Sequence, residues 1–172
     1  NLLCLLLGFA LLSKHFEDSK VPAVLPKYLP RDWKGAFVLL VMVFVLSSFL
    51  DNIAAALIGG AMAHTVFRGK VHIGYLAAIV AASNAGGSGS VVGDTTTTMM
   101  WIAGVGPLSV LHAYVAAAVA LVVFGSPAAM QQDRHSPLMP YEPGRAEVDW
   151  VRVGIVAFIL VTAISVNVYV NV

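Results

Sequence analysis

The sequence predicts an all-α, polytopic membrane protein, and three observations carry that reading. Of its 172 residues 59% are hydrophobic and only 11% are charged, against about 25% charged in soluble domains. The mean hydropathy is +0.85. The apolar residues fall in long runs separated by polar, proline-bearing segments, which is the pattern of helices that enter a bilayer rather than of alternating strands. Cys4 stands alone, so no internal disulfide is possible. The net charge of +1 gives no footprint for nucleic acid.

The chain opens on an apolar run, Asn1 to Leu12, of about twelve residues where roughly twenty are needed to span. No basic segment precedes it, and Lys14-His15-Phe16-Glu17 offers no small-residue cleavage site, so it does not read as a signal peptide. The absence of an initial Met and the ending Val168-Tyr169-Val170-Asn171-Val172 read as a piece of a longer chain. Residues 13–34 hold Lys14, Lys20, Lys27, Arg31 and Lys34 among Pro22, Pro26 and Pro30. Such a segment is expected to be a cytoplasmic loop.

Residues 35–67 are apolar except for Ser47, Ser48, Asp51, Asn52 and His64. One helix of that length would run about 50 Å, too long for a hydrocarbon core of about 30 Å, while two arms broken at Asp51-Asn52 are about 24 Å each and too short. A re-entrant hairpin fits both lengths. Asp51 and Asn52 suit its tip because they cap the helix that follows. The return also puts Arg68 and Lys70 on the side of the first basic loop, whereas a single span would put them opposite it.

Residues 73–105 then read as a crossing helix broken over Ser83 to Asp94, where Gly86, Gly87, Gly89 and Gly93 weaken the helix by about 1 kcal/mol each. Non-helical chain at membrane depth survives only when buried in protein or lining a wet cavity. Gly106-Pro107 ends the helix, and residues 108–124 form the next span. Residues 127–150, with Pro127, Pro137, Pro140 and Pro143, read as a cytoplasmic linker. Residues 151–172 begin another span, with Trp150 and Arg152 expected at the headgroup level.

The polar residues inside these runs point to an ion site. A carboxylate at the centre of a membrane helix costs about 2.5–3.5 kcal/mol on insertion scales, so Asp51 and Asp94 are functional candidates. Both also precede helical runs and are candidate N-caps, a role that Asn would fill without the charge. Asn52, Asn84, the hydroxyls of Ser83, Ser88, Ser90 and Thr95 to Thr98, and the freed carbonyls near Gly86, Gly87 and Gly93 add oxygen donors of the kind that hold Na⁺ in broken transporter helices. Thr97 and Thr98 have the alternative role of bonding back to helix carbonyls. His64 and His112 read as interfacial, and Met99, Met100 and Trp101 as packing. No nucleophile triad, phosphate loop or dinucleotide fingerprint appears, so an enzyme, or a need for a cofactor beyond a transported Na⁺ or H⁺, is not expected.

Ser47-Ser48-Phe49-Leu50-Asp51-Asn52, Ala82-Ser83-Asn84-Ala85-Gly86-Gly87 and Gly93-Asp94-Thr95-Thr96-Thr97 together resemble the citrate-transporter-like branch of the ion-transporter superfamily. That branch includes NhaD-type sodium/proton antiporters and sodium-coupled carboxylate carriers, and the pattern is most similar to the antiporters. The resemblance implies an inverted-repeat fold, usually homodimeric, with hairpin and broken helix meeting at the midplane of a multi-pass plasma (inner) membrane protein. Residues 1–126 would be the transmembrane part of the first repeat and 151–172 the start of the second. It implies a site for a small ion or organic anion at Asp51, Asn52, Asn84, Gly86, Gly87, Gly93, Asp94, Thr95 and Thr96, with Asp51, Asn52, Asn84 and Asp94 on Na⁺. Two acids and no Lys or Arg in the apolar runs favour Na⁺(Li⁺)/H⁺ antiport, with Na⁺-coupled citrate symport as the alternative.

Overall fold

A computed structural model describes residues 2–91, 93–139 and 147–171, and the described residues are helical without strands. The order is α1 (Leu2–Asp18), α2 (Val21–Val24), a 3-10 turn (Leu25–Tyr28), α3 (Trp33–Ser47), α4 (Asn52–Val66), α5 (Ile73–Gly87), α6 (Thr95–Ile102), α7 (Pro107–Leu111), α8 (Ala113–His135) and α9 (Trp150–Asn171).

Helix α3 is the centre, packing against α4, α5 and α8. Asp32 starts it by accepting a hydrogen bond from the Lys34 amide at 3.1 Å, the usual N-cap arrangement. Leu39, Leu40 and Val43 along it are completely buried. Each side chain of that size contributes about 1.5–3 kcal/mol when removed from water. Tyr75 of α5, also fully buried, donates its hydroxyl proton to the Ala36 carbonyl at 2.6 Å and fixes α5 against the first turn of α3. A buried phenol needs such a partner.

Helices α3 and α4 form a helical hairpin whose turn runs from Ser48 to Asp51. Its base is closed by a residue that the sequence reading places in a linker. Gln132 of α8 is fully buried. Its oxygen accepts from the His72 amide at 2.7 Å, and its Nε2 donates to the Lys70 and Ser136 carbonyls at 3.0 and 3.2 Å. All its capacity facing the α4–α5 connection is used. The Met139 amide adds a bond to the Val66 carbonyl at 3.1 Å.

Several boundaries differ from expectation, and the first is that α1 runs past Leu12 to Asp18, into the segment expected as a loop. Helix α8 runs through Pro127 to His135, so the linker reading does not hold for its first part. Proline costs a helix interior about 3 kcal/mol. Here Gly125, Ala129 and Gln132, buried on the face of α8 that packs on α3 and α5, offset it. Helix α5 also continues through Ser83, Asn84 and Gly86 to Gly87, past the point at which a break was expected, and α6 starts at Thr95. Residues 140–146, part of the expected linker, lie outside the described residues.

Much of the surface of α7 and α8 is apolar. Leu108, Val115, Val119, Val122, Val123 and Phe124 are exposed along α7 and α8. The stretch Leu108–His135 contains an 18-residue window with a mean hydropathy of 2.1 and is long and apolar enough to cross a membrane. Trp33–Ser47, Asn52–Val66 and Ile73–Gly87 are apolar but shorter. An exposed apolar face of this extent is suited to lipid.

Candidate functional site

The turn of the α3–α4 hairpin and the interruption after α5 are held together by backbone proximity, and glycine makes that possible. A Cβ on Gly86 would stand 2.0 Å from the Phe44 carbonyl oxygen, and one on Gly93 would stand 2.0 Å from that of Ser47. No side chain fits either place. Ser48 at the turn donates its hydroxyl to the Gly86 carbonyl at 3.2 Å. The glycines expected to free carbonyls therefore act first as contact points, and Gly86 and Gly87 lie within a helix.

Across this junction Asn52 Nδ2 donates to Asn84 Oδ1 at 3.0 Å, while Asn84 Nδ2 donates back to the Val80 carbonyl at 2.9 Å. Two residues selected from separate motifs are thus direct partners.

Asp51 and Asp94 occupy equivalent positions. Each begins a helix: Asp51 Oδ2 accepts from the amides of Ile53 and Ala54 at 3.2 and 3.4 Å, and Asp94 Oδ1 accepts from the Thr96 amide at 3.3 Å. Both are genuine N-caps. One oxygen of each carboxylate makes these bonds, and neither acid forms a salt bridge among the described residues. Capping thus leaves one oxygen of each carboxylate without a hydrogen bond among the described residues.

Asp51, Gly93, Asp94 and Thr95 line one cavity of about 860 Å³, a volume within the range of small-molecule sites. The face of α4 from Ile53 to Thr65 forms one wall, and Lys14, Glu17 and Lys20 form part of another. Asn52, Asn84, Gly86, Gly87 and Thr96 are at the junction but do not line this cavity. His64 and His112 are exposed and lie outside it. Lys14 and Lys20, expected in a cytoplasmic loop, line the same cavity as the acids, because the end of α1 and α2 fold over α4.

Thr97 and Thr98 do more than bond back within their helix. Thr97 Oγ1 bonds the carbonyls of Ser90 and Asp94. Thr98 Oγ1 lies 2.7 Å from the Val91 carbonyl and 2.9 Å from that of Asp94. Both are buried, and they tie the interrupted segment to the start of α6. Sequence reasoning undervalued them, and it also passed over Ser47, whose hydroxyl is fully buried and has no hydrogen-bond partner among the described residues.

An all-helical chain with apolar outer faces, whose hairpin turn and interrupted helix meet beside an acid-bearing cavity, has the makeup of a secondary membrane transporter. The family is more definite: the chain belongs to the citrate transporter family CitMHS, whose sequence model matches residues 1–172. Membership establishes a membrane transporter for a small-molecule substrate. Among curated proteins and solved structures, nothing matches the chain.

Proposed function

We propose that the protein is a cation-coupled carrier of citrate or a related organic anion, working by alternating access in a multi-pass plasma (inner) membrane protein. In this reading the α3–α4 hairpin is re-entrant, α5 and α6 are the two halves of one broken helix, and the chain contains the first of two inverted repeats of a homodimer. The observation that carries it is the Asn52–Asn84 hydrogen bond, with Asp51 and Asp94 lining one cavity beside it. A citrate anion is repelled by two carboxylates unless a cation first neutralises them. We assign Asp51, Asn52, Asn84 and Asp94 to Na⁺, with Thr95, Thr96 and the carbonyls around Gly86, Gly87 and Gly93 in support. The N-termini of α4 and α6, capped by Asp51 and Asp94, supply partial positive charge toward the site.

Na⁺(Li⁺)/H⁺ antiport is the second reading, favoured by the absence of any salt bridge to either acid among the described residues. Protons then compete with Na⁺ for the same oxygens. One experiment separates the two. Full-length protein in proteoliposomes is given labelled citrate under an inward Na⁺ gradient, with internal pH followed by dye. Na⁺-dependent citrate accumulation supports the carrier. Proton efflux driven by Na⁺ or Li⁺ without citrate movement supports antiport and overturns it.

A further inference from the structure

We infer that Lys20 is the anion-attracting residue of the cavity and that it determines affinity for the negatively charged substrate. The inference rests on the citrate-carrier reading.

The position is unusual in backbone as well as in charge. Lys20 has φ 64° and ψ 4°, in the left-handed region, and it immediately precedes α2. A residue with a side chain is uncommon there, and backbone preference alone favours Gly or Asn. Its neighbours over-determine the conformation. Ser19 is fully buried, its hydroxyl bonds the Phe16 carbonyl and accepts from the Val21 amide at 3.4 Å, and its carbonyl accepts from the Asp149 amide at 3.0 Å. Pro22 then fixes the next turn. Strain that surrounding structure maintains is a pointer to a functional constraint.

Its charge helps to hold the nearby Asp18 carboxyl down but forms no close ion pair among the described residues. Two lysines line the cavity, Lys14 and Lys20. Lys14 is engaged by Glu17 at 3.4 Å and Asp18 at 3.2 Å, and Asp18 is further engaged by Arg152 at 3.2 Å. Lys20 makes no salt bridge among the described residues. Beside the Lys14–Glu17 pair, the cavity therefore carries Asp51 and Asp94 for a cation and, in Lys20, an ammonium without a close ion pair among the described residues for a carboxylate of the anion. A charge at the wall of an apolar cleft raises the local concentration of an oppositely charged substrate, and the effect weakens with salt.

The test uses the full-length protein in proteoliposomes, with Na⁺-driven citrate uptake measured at low and high ionic strength. Lys20→Gln is expected to raise KM about 3- to 10-fold at low ionic strength while the maximal rate stays within about twofold, and the difference from wild type should shrink at high salt. Lys20→Arg should restore KM. Lys20→Gly, which removes the backbone strain, should unfold at the same temperature as wild type or higher while keeping the raised KM. Arg31→Gln, an exposed loop charge outside the cavity, should leave KM unchanged. Wild-type KM in Lys20→Gln and Lys20→Gly overturns the inference. If wild-type protein takes up no citrate, it is the carrier reading that fails.

Discussion

Asn52 and Asn84, 32 positions apart, are joined by a direct side-chain hydrogen bond of 3.0 Å. It links the first residue of α4 to the last full turn of α5. An exposed bond of this kind contributes only about 0.5–1.5 kcal/mol net. Its value is in position rather than in stability.

A double-mutant cycle follows from that bond. Asn52→Ala and Asn84→Ala should each weaken the Na⁺ dependence of citrate uptake, and the double variant should be no more than about twofold worse than the poorer single one, because coupled residues are not additive. Concentration dependence of uptake on Na⁺ reads the cycle. Full additivity would mean that the two side chains act separately.

Gly86→Ala and Gly93→Ala each place a Cβ 2.0 Å from a backbone oxygen of α3. Neither main chain has a rotamer with which to yield, so each change should cost about 3 kcal/mol or more. Gly60→Ala, with nothing within 4 Å of the added carbon, should be neutral or stabilising by roughly 0.5–1 kcal/mol. Thermal unfolding in detergent distinguishes them.

Gln132→Ala should open the base of the hairpin. It strands the His72 amide and the Lys70 carbonyl, and a buried polar group left unpaired costs about 1–3 kcal/mol. Hydrogen exchange should accelerate at His72 and in the first turn of α5, with little change at the Asn52–Asn84 junction. Uniform acceleration through α5 would contradict a local clamp.

The α1–α9 junction should be acid-sensitive. The hydrogen bond from Lys14, with burial opposing it and the charges of Lys14, Arg152 and Lys20 assisting, holds the Asp18 carboxyl below its ordinary value of 3.8. A depressed carboxylate stabilises the fold above its unfolded value, and the contribution is lost as pH falls through the lower folded value. Asp18→Asn should therefore lower the thermal midpoint at pH 7 slightly, and wild type should converge on the variant as the pH falls below 3.8. A difference that persists in strong acid would point to shape rather than charge.

The turn between α3 and α4 was legible because Asp51-Asn52 interrupts a long apolar run and Asp51 marks a cap in any context. The end of α5 was not, because glycine has two meanings. Its helix cost of about 1 kcal/mol per residue suggested a break at Ser83, whereas Gly86 is used for a backbone approach that only the third dimension reveals. The lower part of α8 was hidden for a related reason. Four prolines between positions 127 and 143 suggested a loop, yet Pro127 is carried inside a helix whose buried face includes Gln132. Lys14 and Lys20 were read as solvated loop charges, since no pattern in the sequence signals that α1 and α2 fold back over α4.

The central claim is that the acids at the starts of α4 and α6 form one cation site serving an anion. It is tested most directly by the Na⁺ dependence of citrate uptake in full-length Asp51→Asn and Asp94→Asn, because Asn preserves the N-cap and removes the charge. Each variant is predicted to fold, to unfold within about 1 kcal/mol of wild type, and to need at least about tenfold more Na⁺ for half-maximal uptake, the loss expected when one charged ligand worth about 1.4 kcal/mol or more is removed. Wild-type Na⁺ dependence in both variants would reduce Asp51 and Asp94 to caps and contradict the account.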